Sequence, residues 1–258
     1  MNKMFPAVLM LLVSLSASAQ SQFSLGTGFD YSSGKYGGTT STDILYIPVT
    51  AKYESDGLFF KLTVPYISIT GTGTTSGVIL GIGRIGPPTK TTTTSTATTT
   101  NSGLGDVVTS AGYGIYAGDQ LAVDLVGNVK FGTADANKGL GTGNNDYSAQ
   151  LDAYYMIHNT TLFGTAGYKV YGAPAGISLN NAPYGTLGIS QKLGSTTSVG
   201  TMYDATQSPL ASGVGLSEFT VYISQKIKPD LKLQINAMKG YSDASPDHSF
   251  GATITGSF

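Results

Sequence analysis

The sequence predicts an all-β chain: a transmembrane antiparallel up-and-down β-barrel of about twelve strands behind a cleaved signal peptide. Three observations predict it. The stretch Phe250-Gly-Ala-Thr-Ile-Thr-Gly-Ser-Phe258 alternates apolar with small or polar residues and stops on an aromatic. The same two-residue period recurs along the chain, punctuated by turn residues. The connections alternate between short and long, the pattern of periplasmic turns and extracellular loops.

At the amino end, Met1-Asn-Lys3 is a short basic start, Met4 to Leu15 an apolar run, and Ala17-Ser-Ala19 a small-residue cleavage site. The expected signal peptide is therefore 1–19 and the barrel 20–258. Losing Lys3 takes the formal net charge from −1 to −2, a balance that offers no basic face to nucleic acid. No other stretch reaches the roughly 20 apolar residues of a transmembrane helix. Charged residues are only 11%, against about 25% in ordinary soluble chains. A lipid-facing wall has no use for charge. Cysteine is absent, which rules out a disulfide-stapled secreted domain.

In order, the expected strands are 23–31, 43–54, 58–70, 104–116, 120–131, 146–157, 160–171, 184–193, 197–206, 215–227, 231–241 and 248–258. Each is set by period-2 alternation, and most reach the 9–11 residues that a tilted spanning strand needs. Short turns fall at Ser55-Asp-Gly57, Ala117-Gly-Asp119, His158-Asn159, Gly194-Ser-Thr196 and Pro229-Asp230. Longer loops fall at 32–42, 71–103, 132–145, 172–183, 207–214 and 242–247.

Parity then assigns faces. Leu58, Phe60, Leu62, Val64 and Tyr66 point outward, with Lys61, Thr63 and Pro65 inward. The same rule puts Leu121, Val123 and Leu125 outside and Asp124, Asn128 and Lys130 inside. Outward aromatics gather in two belts, Tyr53, Tyr155 and Phe258 at the periplasmic ends, with Tyr31, Tyr66, Phe131, Tyr147, Tyr168, Phe219 and Phe250 at the other. The interior is expected to be wet and polar. Its lining candidates are Lys52, Glu54, Lys61, Asp106, Asp124, Lys130, Asp152, Lys169, Glu218 and Lys226, with Asp204 and Lys232 on the same faces. Their signs are mixed, so they either pair across strands and fill the barrel or line a pathway with little charge preference.

Certain strings carry a resemblance. Gly103-Leu-Gly-Asp-Val107, Ile47-Pro48, Val64-Pro-Tyr66, Phe131-Gly-Thr-Ala-Asp135 and Gly139-Leu-Gly-Thr-Gly143 together resemble the MetA-pathway of phenol degradation family. That family more often has Lys-Leu-Pro-Thr-Gly-Asp where this chain has Lys130-Phe-Gly-Thr-Ala-Asp135. The resemblance implies an outer-membrane transporter-like barrel with a link to aromatic compounds, and it brings no catalytic residues.

The Gly-Leu-Gly strings lack the following Lys-Ser/Thr and helix of a phosphate loop, and are read as permitting turns where long loops join the barrel. Asp106 and Asp135 are isolated carboxylates, weak as cation ligands. His158 falls in a turn, and His248 follows Asp247 on a loop edge, where adjacent side chains point apart. Neither builds the catalytic constellation of a surface protease or an outer-membrane phospholipase. No catalytic residue, metal site or cofactor is expected. In loop 71–103, Val78, Ile79, Leu80, Ile82, Arg84 and Ile85 are too apolar for an exposed tip. They suggest a gate at the mouth, packing on neighbouring loops, or extension of strands beyond the membrane, and the following Thr/Ser tract, 89–101, is low-complexity.

The expected function is a channel in the Gram-negative outer membrane for passive passage of small, hydrophobic or aromatic solutes. The short mature amino end leaves no room for a plug. The alternative is a structural or adhesive barrel with a side-chain-filled lumen. Expected partners are outer-membrane lipid, the barrel assembly machinery, which would read Phe258, and the solute.

Overall fold

The computed structural model describes residues 21–72 and 97–258. The signal segment 1–19 and the proposed gate residues Val78, Ile79, Leu80, Ile82, Arg84 and Ile85 lie outside them. The strands are β1 (Gln22–Gly34), β2 (Thr42–Ser55), β3 (Leu58–Thr72), β4 (Thr98–Leu104), β5 (Val108–Ala117), β6 (Leu121–Lys130), β7 (Asp146–Ile157), β8 (Thr160–Val170), β9 (Ala182–Lys192), β10 (Thr197–Thr206), β11 (Leu216–Lys228), β12 (Leu231–Gly240) and β13 (His248–Ser257). Each pairs antiparallel with its neighbours, and β1 closes on β13 from Ser24↔Ser257 to Ser33↔His248. β4 and β5 share one position beside β3, so the closed barrel has twelve staves. Closure through β5 leaves the spanning body without an unpaired edge, as hydrocarbon requires, while β4, at the long-loop end, pairs with β3 alone.

The strands are 7–15 residues long, and the ten-residue ones already span roughly 33 Å along the strand. Five short turns close one end of the barrel. Asp56 and Gly57 both take positive φ (51° and 77°), the geometry that matches strand twist in a two-residue hairpin. His158 does the same at φ 55°.

The fourth stave departs from expectation. It starts at Thr98 rather than 104, and it is broken over Gly105-Asp-Val107. The break turns Asp106 into the barrel, while the Gly105 N–H still bonds the Pro65 carbonyl at 2.8 Å. The cross-strand pair Pro48↔Pro65 lies beside it. Pro48 has no N–H, and the β1–β2 register skips from Thr27↔Val49 to Asp30↔Tyr46, with the Thr27 hydroxyl donating to the Pro48 carbonyl.

Parity is read off exposure directly. Phe60 and Leu62 are 53% and 43% exposed, whereas Phe59 and Lys61, which alternate with them, are 5% and 7%. The outward wall is mainly aliphatic and aromatic, and both aromatic belts are exposed, joined by Phe23, Tyr113 and Tyr116 at the short-turn end. Phe258 is 76% exposed; its N–H bonds the Phe23 carbonyl and its ring lies 6.4 Å from the Phe23 ring.

Candidate functional site

The inner wall carries three distinct regions. At the long-loop end, loop 131–145 folds back onto the inner faces of β2 and β3. Asp135 caps a single 3-10 turn, Ala136–Lys138, by accepting the Asn137 N–H at 3.0 Å, and Gly139 leaves it in the left-handed region (φ 68°). That turn directs Leu140, which is fully buried against Tyr46, Ile67 and Ile69 with Ala134. The two Gly-Leu-Gly strings meet here. A Cβ on Gly103 would lie 3.0 Å from Leu140, and one on Gly105 would lie 2.6 Å from Ile67. One on Gly141 would strike Ala134 at 2.7 Å. Glycine at 103 and 105 therefore serves close packing rather than a turn, contrary to the sequence reading; Gly139 and Gly143 do adopt positive φ.

The same loop is tied down by charge. Lys130 Nζ bonds Asp106 at 2.8 Å and Asp146 at 3.3 Å, and Lys169 Nζ bonds Asp146 at 3.2 Å. The other Asp106 oxygen accepts the Ala134 N–H at 2.9 Å, and Asp146 accepts the Gly172 N–H at 3.0 Å. All four charged side chains are at most 5% exposed, so each needs the others. Lys169 also sits 4.5 Å above the Tyr171 ring. Burial, then the Asp146 charge, holds the Tyr171 phenol well above its ordinary range, so it stays neutral.

The second region is aromatic. Four inward rings each cover a glycine on the paired strand: Phe59 on Gly112, Phe163 on Gly188, Tyr184 on Gly167 and Tyr222 on Gly200. A Cβ on any of these glycines would fall 2.2–2.3 Å from the ring. Tyr154, Phe163, Met202, Tyr222 and Ala122 form one buried cluster, with Tyr184 against it. The inner wall is thus partly apolar, where the sequence reading expected it polar throughout.

The third region is polar. Ser110 donates to Asn128 at 2.7 Å and Tyr184 to Gln150 at 2.8 Å. The Gln150 amide donates to Asp152 at 2.8 and 2.9 Å, Thr165 also donates to Asp152, and Thr186 donates to Asp204 at 2.6 Å. Lys52 bonds Glu54 at 2.7 Å and stands 4.9 Å from the Phe59 ring.

Of the lining candidates, Lys52, Lys61, Asp106, Lys130, Asp152, Lys169 and Glu218 are buried, while Glu54, Asp124, Asp204 and Lys232 are half-buried. Lys226 is exposed near the short-turn end, paired in register with Lys232. Sequence reading missed Asp146, the carboxylate shared by two lysines. The parity that puts Gln150 and Asp152 inside puts Asp146 inside as well. His158 and His248 are both exposed, and no three His, Cys, Asp or Glu side chains converge as metal ligands among the described residues.

No protein-family model and no curated protein matches the chain. Solved structures do match it. An outer membrane channel from Pseudomonas putida F1 is similar over 94% of this chain and 97% of its own, at 11% identity and a TM-score of 0.71. The KdgM porin is similar over 91% and 99%, at 11% identity and 0.53. The CymD monoaromatic hydrocarbon channel is similar over 100% and 94%, at 10% identity and 0.51. At these identities the likeness is one of fold, that of outer-membrane barrels.

Proposed function

We propose that this barrel is a passive channel of the Gram-negative outer membrane that admits small solutes and favours hydrophobic or aromatic ones. Outer-membrane lipid would face its apolar wall, and the barrel assembly machinery would insert it. The observation that carries the reading is the row of inward rings laid over glycines: Phe59, Phe163, Tyr184 and Tyr222 put apolar and π character inside a polar wall, with Tyr184 the least buried of them. The fold shared with proteins described as channels supports it.

The test is flux into liposomes carrying the purified barrel. A small aromatic alcohol should enter faster than a sugar of similar size, and equal rates would overturn the aromatic preference. Phe59→Ala should speed the sugar and reduce the aromatic advantage, while costing about 3 kcal/mol of stability for a buried Phe.

One observation favours a second reading, the structural barrel with a filled lumen: loop 131–145 is clamped inside by four buried charges. Absence of flux for both solutes, in the native protein and after release of that loop, would select it.

A further inference from the structure

Two of the charge clusters inside the barrel are built on opposite plans. In one, at the long-loop end, unlike charges face each other, Lys130 directly opposite Asp146 across β6 and β7. Nearer the short-turn end like charges face each other: Lys52 opposite Lys61 across β2 and β3, and Asp124 opposite Asp152 across β6 and β7. Like charges directly opposite on one face destabilise a sheet. The four nevertheless lie close enough to act on one another, Lys61 with Asp152 and Lys52 with Asp124.

Two of these groups are left over. Glu54 takes Lys52, and Asp152 is held by Gln150 and Thr165. Among the described residues neither the Lys61 ammonium nor the Asp124 carboxylate has a hydrogen bond or an ion pair, although Lys61 is only 7% exposed. The Lys61 ammonium keeps some contact with solvent, so it is open to a solute rather than stranded. The Tyr154 hydroxyl, on the same face as Asp152 and two residues along, is also buried without a partner. One buried hydroxyl and two charged groups without a protein partner thus lie on the same side of the inner wall. Between β3 and β6 stands only β5, whose inward residues there are Ser110, Gly112 and Gly114, with the Phe59 ring over Gly112.

We propose that Lys61, Asp124 and Tyr154 form a lumenal subsite for small aromatic zwitterions, with the solute carboxylate on Lys61 and its ammonium on Asp124. The proposal rests on the channel reading. Charge selects a zwitterion over an anion: Lys52 and Lys61 stand against Glu54, Asp124 and Asp152, one negative charge in excess. Spacing places the two charges at opposite ends of the solute: β3 and β6 are two staves apart, and Lys61 is in register with Asn128, four residues along from Asp124, so their backbones lie about 16 Å apart along the wall, within reach of the long lysine arm. Phe59 and Tyr154, each 5% exposed, bring apolar and π character to the wall between them.

The probe is 4-(aminomethyl)benzoate, with 4-methylbenzoate, 4-methylbenzylamine and 4-methylbenzyl alcohol as anionic, cationic and neutral controls. In liposome flux the zwitterion should half-saturate at about tenfold lower concentration than the anion or the cation, the scale of one charge-assisted hydrogen bond. Lys61→Met or Asp124→Asn should each remove that advantage and leave the alcohol unchanged. An advantage absent in the native barrel, or surviving in Lys61→Met, overturns the subsite even though the alcohol still passes. If not even the alcohol passes, the channel reading fails by itself. Calorimetry on the barrel in micelles then decides: zwitterion binding lost in Lys61→Met sustains the subsite, and no binding heat ends it. A heat-modifiable gel shift checks that each variant is folded.

Discussion

Asp106→Ala should free loop 131–145 from the inner wall and raise single-channel conductance. The side chain holds two things at once, Lys130 at 2.8 Å and the Ala134 N–H at 2.9 Å. Without it, Lys130 and Lys169 share the single carboxylate of Asp146. Breaking a buried pair by removing one partner costs about 3–5 kcal/mol, because the remaining charge is stranded. Against this, burying Leu140 returns about 1.5–3 kcal/mol. The loop can escape the penalty by lifting Lys130 and its surroundings toward water, so release is the cheaper outcome. Lys138, in the 3-10 turn, reports it independently: trypsin should cut there at least about tenfold faster, the consequence of losing more than 1.4 kcal/mol of local stability. Asp106→Asn keeps an acceptor for Ala134 but not the charge, and should fall between. Native conductance together with native resistance at Lys138 would show that the loop does not depend on this clamp.

The sequence made the outer wall legible because its rule is local. Phe60 out and Lys61 in follow from a period of two, and the alternation of Asp56-Gly57 with long loops fixes which end is which. The inner wall resisted because its logic is not local. Phe163 is acceptable inside only because Gly188, 25 positions along, comes to lie under it, and Tyr222 likewise needs Gly200. A glycine at inward parity opposite an inward aromatic is a signal, but it can be read only after strands are paired. The same holds for the glycine strings. Gly105 is small because Ile67 and Pro65 press on it, a fact of tertiary packing that local turn chemistry does not contain. The fourth stave was cut short because Thr98 to Ser102 has no apolar face; its partner β3 supplies the pairing. Asp106 and Lys130 were both assigned to the interior, yet their union depends on the break at Gly105-Asp-Val107, which alternation alone hides.

Gly28→Val should abolish assembly of the closed barrel. Gly28 pairs with Thr253 at the β1–β13 seam, and a Cβ there would fall 2.1 Å from the Ala252 carbonyl oxygen and 2.7 Å from the Thr253 Cα. Both are backbone atoms, so no rotamer relieves the contact and β13 itself must move away. The approach is close because β1 has lost its bond to β2 at this level, where Pro48 offers no N–H, and leans on β13 instead. Overpacking of this kind costs about 1–3 kcal/mol even where side chains can yield. At a seam the cost is compounded, since an unclosed sheet exposes two edges of unpaired backbone in lipid. The expected result is loss of the heat-modifiable folded band, with the protein in aggregates. Gly127→Val is the control: it adds the same branched side chain to a strand glycine with nothing within 4 Å of its Cβ, and should assemble normally. Phe258→Ala, which removes one tilted ring contact with Phe23 at the same seam, should cost only about 0.5–1.5 kcal/mol and reduce assembly without preventing it. Equal assembly of the Gly28 and Gly127 variants would mean that closure tolerates a widened seam, and that Pro48 does not force β1 onto β13.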